Sequence, residues 1–571
     1  MYGQEAHTTA QTGYANRSHN CSGKEQGAIQ VLSYYYLPRR GTMKRSGWGF
    51  SLLIVTMALS IAFTSACAGA NMTLIFGSAG DASRLDPADV TDGESIQRMD
   101  NIFEGLVEYK PGSTEIQPAL AESWEISDSG LEFTFHLRRG VKFHDGTTFD
   151  AYAVEFSFAR QYDPDNPFHQ FGEWAYWGWM FDYVDHVEVV GPYTVKVYLS
   201  EPNASFMTSL AMFTVAIVSP YSATLHGADS FKHPVGTGPF KFVEWVKDDH
   251  ITLARFEDYW RDPAKLDQVI FRVIPDPSAR LIALEKGEID GMEYPDPDQL
   301  QRIKNNPNLQ LLSAPGMNVG YLAMNMGEDT PGYQEPFGDV RVRRAVNHAI
   351  NRQEIVTYLY QGTAVVAKNP IPPVMWGYND SIQDYEYDPG KARDLLAEAG
   401  YPNGFETTLW AMPVSRPYMF DPQKIAEAIQ SYLLDVGIDA DIFQEDWGTY
   451  LQDTEAGKHP MCLLGWSGDN GDPDNFIYVL LDKDATTVGS AGNVAFYRSD
   501  ELHDINIAAR QTYDFEQRVS LYEQAQQIIH RDAPWVPIAH STQVIAFKHN
   551  VHGYVLHPTT RKFFQPVWIE E

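Results

Sequence analysis

Cysteine is nearly missing from this chain: Cys21, Cys67 and Cys462 are all that its 571 residues carry. Two of them precede the body of the chain as read below, so one thiol remains there and no internal disulfide can form. Core burial must hold the fold, and a chain of this length can supply it. Positive charge is also scarce, with 43 lysines and arginines against 75 aspartates and glutamates, a net charge of −32. Residues 1–70 have a local balance of +4, which leaves −36 on the remainder. Such an excess repels nucleic acid and anionic membrane surfaces. It suits solubility outside the cytoplasm, or acidic patches that dock a basic partner. Internal repeats and low-complexity linkers are lacking too. What is present, 44% apolar and 21% charged residues, makes a globular chain with room for two or three domains.

The first 42 residues are polar and unpatterned, and read as an upstream extension before the true start at Met43. Met43-Lys44-Arg45 is a basic opening, Trp48 to Phe63 an apolar stretch, and Ala68-Gly69-Ala70 an A-x-A cleavage pattern. Residues 43–70 are therefore expected to be a signal peptide, too short in its apolar part for a membrane span. Cys67 offers a second reading, the acylated cysteine of a lipoprotein, although Thr64 stands where such signals usually have leucine. Either way the mature chain is expected in the periplasm.

From Met72 the pattern is strand-like. Thr73 to Phe76 is apolar, Leu131 to Arg138 alternates strictly, and Val195, Val197, Leu199 and Val269, Phe271, Val273 repeat that alternation. Asp145-Gly146, Gly191-Pro192 and Pro275-Asp276-Pro277 supply turns between them. After about residue 335 the texture changes to alternating helix and strand. Val342, Ala345, Val346, Ala349 and Ile350 fall at helical spacing, and Asn351 with Glu354 reads as the capping box of a following helix. Asp388-Pro389 and Asp421-Pro422 each open a helix with an Asp cap and a first-turn proline, closed by Gly400 and Gly437. A β-rich first half and a βα second half imply two lobes of α/β or α+β type.

The chemistry concentrates where Met461 to Leu464, an apolar run suited to a buried strand, empties into Gly465-Trp466-Ser467-Gly468-Asp469-Asn470-Gly471-Asp472-Pro473-Asp474. Tryptophan gives a flat wall and Asp469 a fixed anion, equipment for a small cation-bearing molecule at the mouth of a sheet. The aspartates do not make an EF-hand, because counting from Asp469 puts Gly471 and Pro473 at ligand positions. Gly465 to Asp469 is not a nucleophile elbow either, since the closing glycine is replaced. Gly236-Thr237-Gly238-Pro239 lacks the third glycine of a dinucleotide loop. His549, His552 and His557 read as surface histidines rather than metal ligands, and no cofactor is expected. The aromatic cluster Trp174, Tyr176, Trp177, Trp179 and Phe181 reads as lobe core or inter-lobe packing, with a ligand wall as the alternative. Arg416, between Pro413 and Pro417-Tyr418, hangs from a stiffened loop before the Asp421-capped helix; by itself it reads as an ordinary surface arginine.

Several segments together resemble the solute-binding proteins of ABC peptide and nickel transporters. They are Leu120-Ala121-Glu122-Ser123-Trp124, Arg139 to Gly146, Pro234 to Phe240, Asn325-Met326 with Val340 to Ala345, and Asp388-Pro389. Arg416-Pro417-Tyr418 paired with Trp466, Gly468 and Asp469 is similar to the dipeptide-binding branch. The resemblance implies a two-lobed periplasmic-binding-protein-like fold with an extra subdomain and a hinge cleft. Lobe I would span 71–317 with the subdomain at about 104–245, lobe II 318–535, and 536–571 would return to lobe I, with crossings near 315–320 and 530–540. It also implies that Arg416 grips a peptide carboxylate and Asp469 its α-ammonium, with Trp466, Tyr418 and Gly465 framing the backbone and Asp92-Gly93 facing them from lobe I. The implied partners are a dipeptide or short peptide and the permease of an ABC importer, for a monomer that catalyses nothing; a sensor coupled to a chemoreceptor is a further reading that shares the same pocket. Glutathione and haem stay open as solutes of the same class, and a hydrolase or peptidase as a reading of another class.

Overall fold

The structure, a computed structural model, describes residues 72–570. The expected extension, signal peptide, Cys21 and Cys67 lie outside the described residues. Among these residues no helix is long and apolar enough to cross a membrane.

One 12-stranded mixed sheet runs through the molecule. Its order is Ile438–Phe443, Phe405–Trp410, Met461–Ser467, Asn318–Met324, Trp535–Lys548, Gly291–Glu293, Thr73–Ser78, Gln268–Val273, His250–Arg255 and Phe240–Val246. Leu309–Pro315 and Ala364–Val366 also pair with Trp535–Lys548. A separate four-stranded antiparallel sheet holds Ala121–Ile126, Glu132–Leu137, Thr194–Leu199 and Val184–Gly191. Its two central strands, Glu132–Leu137 and Thr194–Leu199, alternate buried and more open positions, as the period-two pattern requires for a sheet with one covered face.

Two large hydrophobic cores result. One gathers residues from Leu74 to Phe271 together with Ile545 to Val567. The other gathers Met317 to Ala539. The 14-residue strand Trp535–Lys548 belongs to both: Trp535 to Ala539 pairs with Asn318–Met324, and Thr542 to Lys548 pairs with Leu309–Pro315. Asn318 stitches the passage. Its Oδ1 accepts from Ser541 N at 2.8 Å, its Nδ2 donates to Ser541 O at 3.2 Å, and its own carbonyl meets His540 Nδ1 at 2.7 Å.

The capping chemistry reads through directly. Asp388 caps Pro389–Glu398 by accepting from Lys391 N, and Asp421 caps Pro422–Leu434 by accepting from Lys424 N. Gly400 and Gly437 follow at φ of +99° and +94°, values that favour glycine. Asn351 caps Arg352–Leu359 through Glu354 N, but Glu354 returns its carboxylate to the Asn351 side-chain amide rather than to the backbone. The apolar run at 461–464 proves longer than its composition suggests, since pairing with Asn318–Met324 carries the strand through Gly465 and Trp466 to Ser467.

Candidate functional site

Strands Phe405–Trp410 and Met461–Ser467 are parallel neighbours, with Leu409 opposite Met461 and Trp410 opposite Cys462. Their carboxyl ends therefore point the same way, and the loops with Arg416 and Asp469 leave the same edge of the sheet. In open α/β sheets that edge is where ligands bind.

The Arg416 loop turns back tightly. Arg416 N donates to Met419 O at 3.0 Å and Met419 N to Arg416 O at 2.9 Å. Both carbonyls at the centre of the turn are tied down, Pro417 O by Ser541 Oγ at 2.6 Å and Tyr418 O by the Tyr360 hydroxyl at 2.9 Å. The Tyr418 ring lies on Gly465 so closely that a Cβ there would stand 2.2 Å from its Cδ2. Gly320, cross-strand partner of Gly465, has the same constraint: a Cβ would stand 2.7 Å from Tyr418 O. Two facing glycines thus form a saddle for the tyrosine. Burial raises the Tyr418 phenol to about 12, opposed by the nearby Arg416 charge. The Arg416 guanidinium is half-buried and lies 4.6 Å from the centre of the Trp447 ring. Among the described residues it has no carboxylate partner.

Asp469 begins the second loop. Its N–H donates to Asn475 Oδ1 at 2.9 Å, and the same oxygen accepts Trp466 Nε1 at 3.0 Å. Asn475 thereby fixes the wall and the anion relative to each other. Asp469 Oδ1 accepts from the Tyr176 hydroxyl at 3.0 Å and Oδ2 from Asn475 Nδ2 at 3.4 Å. Burial pushes this carboxyl up to about 6, while the donated hydrogen bonds from Tyr176 and Asn475 hold it down. Among the described residues no cation pairs with it.

The two later aspartates have arginine partners instead. Asp472 takes a bidentate pair from Arg518 at 2.8 Å on both oxygens. Asp474 lies 3.6 Å from Arg510 and accepts Ser205 Oγ at 3.3 Å. Of three acidic residues in the loop, only Asp469 is left for a cationic guest. Residues of the first core clamp the loop further: Asn470 Nδ2 donates to Ser209 Oγ at 3.2 Å, and Gly471 packs against Thr114.

Asp92 sits on the first-core side, within electrostatic reach of Tyr176. Its oxygens are already engaged as the cap of Gly93–Met99, by Ser95 N and Ser95 Oγ at 2.8 Å and by Ser83 Oγ at 2.5 Å. Gly93 is exposed and opens that helix. Trp174, Tyr176, Trp177 and Phe181 are buried in the first core, as packing requires, yet Tyr176 also reaches Asp469. His552 and His557 separate, the first towards Glu570; His557, expected at the surface, is instead buried against Thr559. Beside the Arg416 turn opens a recess lined by Pro417, Phe420 and Ser541 and, from the other side, by Tyr294, Thr560 and Lys562.

Tyr176, Asn475, Trp447 and Gly320 carry no motif of their own. Each acquires its place through a contact between distant parts of the chain, so only the aromatic clustering around 174–181 gave any signal in advance.

The chain is 39% identical over 550 residues to the dipeptide-binding protein of Escherichia coli (strain K12), covering 93% of this chain and all of that one. It is 39% identical over 515 residues to heme-binding protein A of Haemophilus influenzae, covering 87% and 92%. The periplasmic binding protein DppA of Helicobacter pylori, solved with the peptide STSA, superposes with a TM-score of 0.78 at 40% identity, covering 87% of this chain and 98% of that one. These are two-lobed binding proteins, and the mixed α/β architecture here is of that kind. Residues 115–487 match the family model for this group. The chain belongs to the bacterial extracellular solute-binding proteins, family 5.

Proposed function

We propose that this protein is the extracytoplasmic binding component of an ABC importer. It captures dipeptides or other short peptides by their charged ends and hands them unchanged to a membrane permease. The observation that carries the reading is the pair of loops leaving adjacent parallel strands, one with a guanidinium and the other with a carboxylate that no internal charge neutralises. Arginine meets a carboxylate through its planar fork, and an ionised aspartate accepts from an ammonium. An extended dipeptide spans roughly 7 Å at ~3.3–3.6 Å per residue. A fixed cation and a fixed anion at that separation select a zwitterion by length, while side chains point into wetter space that tolerates variety. A ligand lacking one end strands a buried charge, at a cost of about 2–5 kcal/mol.

In this proposal Trp466, Tyr418 and Gly465 frame the peptide backbone, and Asp92-Gly93 approach from lobe I. The lobe limits at 71–317, 318–535 and 536–571 belong to the same reading, as do closure about the crossings and docking of the closed form on the permease. So do residence in the periplasm after removal of residues 43–70, the alternative of a lipid anchor on Cys67, a monomeric state, and any chemoreceptor coupling.

A dipeptide should raise the melting temperature by mass action. Arg416→Ala and Asp469→Asn should each abolish that rise while leaving the unliganded melt cooperative. Stabilisation equal to the parent in both variants would move the pocket elsewhere. The related protein solved with STSA favours a second reading in which longer peptides also fit. A tetrapeptide run in the same assay separates the two. A Soret band on mixing with haem would instead favour the activity named for the Haemophilus relative.

A further inference from the structure

At the far end of the helix Asp474–Leu481 from the Asp469 loop, three metal-ligating side chains converge. Asp482 follows the helix and caps the short 3-10 turn Lys483–Ala485, its Oδ1 accepting from Asp484 N at 3.0 Å. His503, on the helix Asp500–Gln511, places Nδ1 2.9 Å from Asp482 Oδ1 and 3.7 Å from Asp484 Oδ2. One ligand atom from each of Asp482, Asp484 and His503 lies within 4.8 Å of the others. Zinc bonds of ~2.0–2.2 Å at tetrahedral angles put neighbouring ligands about 3.3–3.6 Å apart, between the two separations seen here.

Asn506 offers a fourth ligand once its amide turns over. Asn506, one turn beyond His503, is 1% exposed. Its Nδ2 donates to Asp482 Oδ2 at 2.8 Å, while its Oδ1 has no partner among the described residues. Leaving a buried amide oxygen unpaired is costly. Turning the amide over would set that oxygen against a carboxylate, an arrangement that only a cation between them makes favourable. Access is open as well: the Asp482 carboxylate is fully buried, but the His503 side chain is 20% exposed and that of Asp484 51%.

The geometry points to a divalent metal site formed by Asp482, Asp484, His503 and Asn506. One imidazole nitrogen and three oxygens suit Zn²⁺ better than Ca²⁺, which prefers an all-oxygen shell of six to eight ligands. The imidazole would give its Nδ1 lone pair to the ion and keep its proton on Nε2. The eight-residue helix between places the site about 12 Å from the peptide loop, at 1.5 Å per residue. A metal there ties the helix Asp500–Gln511 to the end of the helix whose first residue, Asp474, is bonded to Ser205. It would hold these two helices together without touching the peptide.

Calorimetric titration of the EDTA-stripped protein with ZnCl₂ tests this. The parent should bind one equivalent. His503→Ala and Asp484→Ala should each bind at least tenfold more weakly, with His549→Ala as an unchanged surface control. Dipeptide stabilisation should persist in both site variants, which separates this site from the peptide pocket. No saturable zinc binding to the parent, or parental affinity in both variants, would overturn the assignment. Should His503→Ala fail to fold, the half-exposed Asp484 decides the matter alone.

Discussion

Asp469 is bonded to a tyrosine hydroxyl and an amide but to no cation, and burial holds its carboxyl up to about 6. Because the folded value is raised, the unliganded arrangement is most stable below the ordinary carboxylate range and loses that contribution as pH rises through about 6. A peptide ammonium reverses the preference by favouring the ionised form. Peptide affinity should therefore be flat above pH 6 and fall by up to tenfold per pH unit below it. In Asp469→Asn this dependence should vanish along with the affinity. Titrations of the parent between pH 4.5 and 8 check the slope; pH-independent binding across that range would mean that Asp469 does not face the ammonium. Gly465 makes a second prediction at the same scale. A methyl group there meets the Tyr418 ring and Val319 O at 2.2 and 2.5 Å, both held by neighbouring structure. Gly465→Ala should displace the Arg416 turn, lowering the melting temperature by several degrees and weakening the dipeptide response.

Among the elements, the loop after Met461–Ser467 owes its shape to two buried arginines. Arg518 holds Asp472 bidentately and passes its Nε to Ala509 O. Removing one member of such a buried pair strands the other, at about 3–5 kcal/mol. Arg518→Met should thus destabilise the protein by that amount in urea unfolding, whereas Asp469→Asn, with no charge partner to strand, should cost far less. The arginine partners could not be read from sequence, since Arg518 lies 46 residues from Asp472 and nothing local links them. The same applies to Tyr176 and Asn475. What was legible is what local chemistry determines: the Asp-Pro caps, the alternating strands, and a strand ending near Gly465 in an acidic loop. The strand's true end at Ser467 was hidden because Gly465 and Trp466 look like loop residues until Asn318–Met324 pairs with them. Asp92 shows the converse. The resemblance implies a place for it facing the ligand, and the structure adds a local task that the sequence did not show: its oxygens are engaged by Ser83 and Ser95 as a helix cap.

At the scale of the molecule, one strand serves two cores, and its passage is braced by Asn318 and Ser541. The loop with Asp469 is gripped by residues of the first core while growing from the second. A ligand seated at that loop therefore lies where the two cores meet, and its ends decide whether their charged groups are satisfied. In the proposed reading Arg416 and Asp469 hold the two ends of one short peptide. Isothermal titration of the parent with a free dipeptide, its N-acetyl form and its C-terminal amide tests this most directly. The free peptide should bind, and each blocked form should lose at least thirtyfold, about 2 kcal/mol. Equal affinity for all three would contradict it.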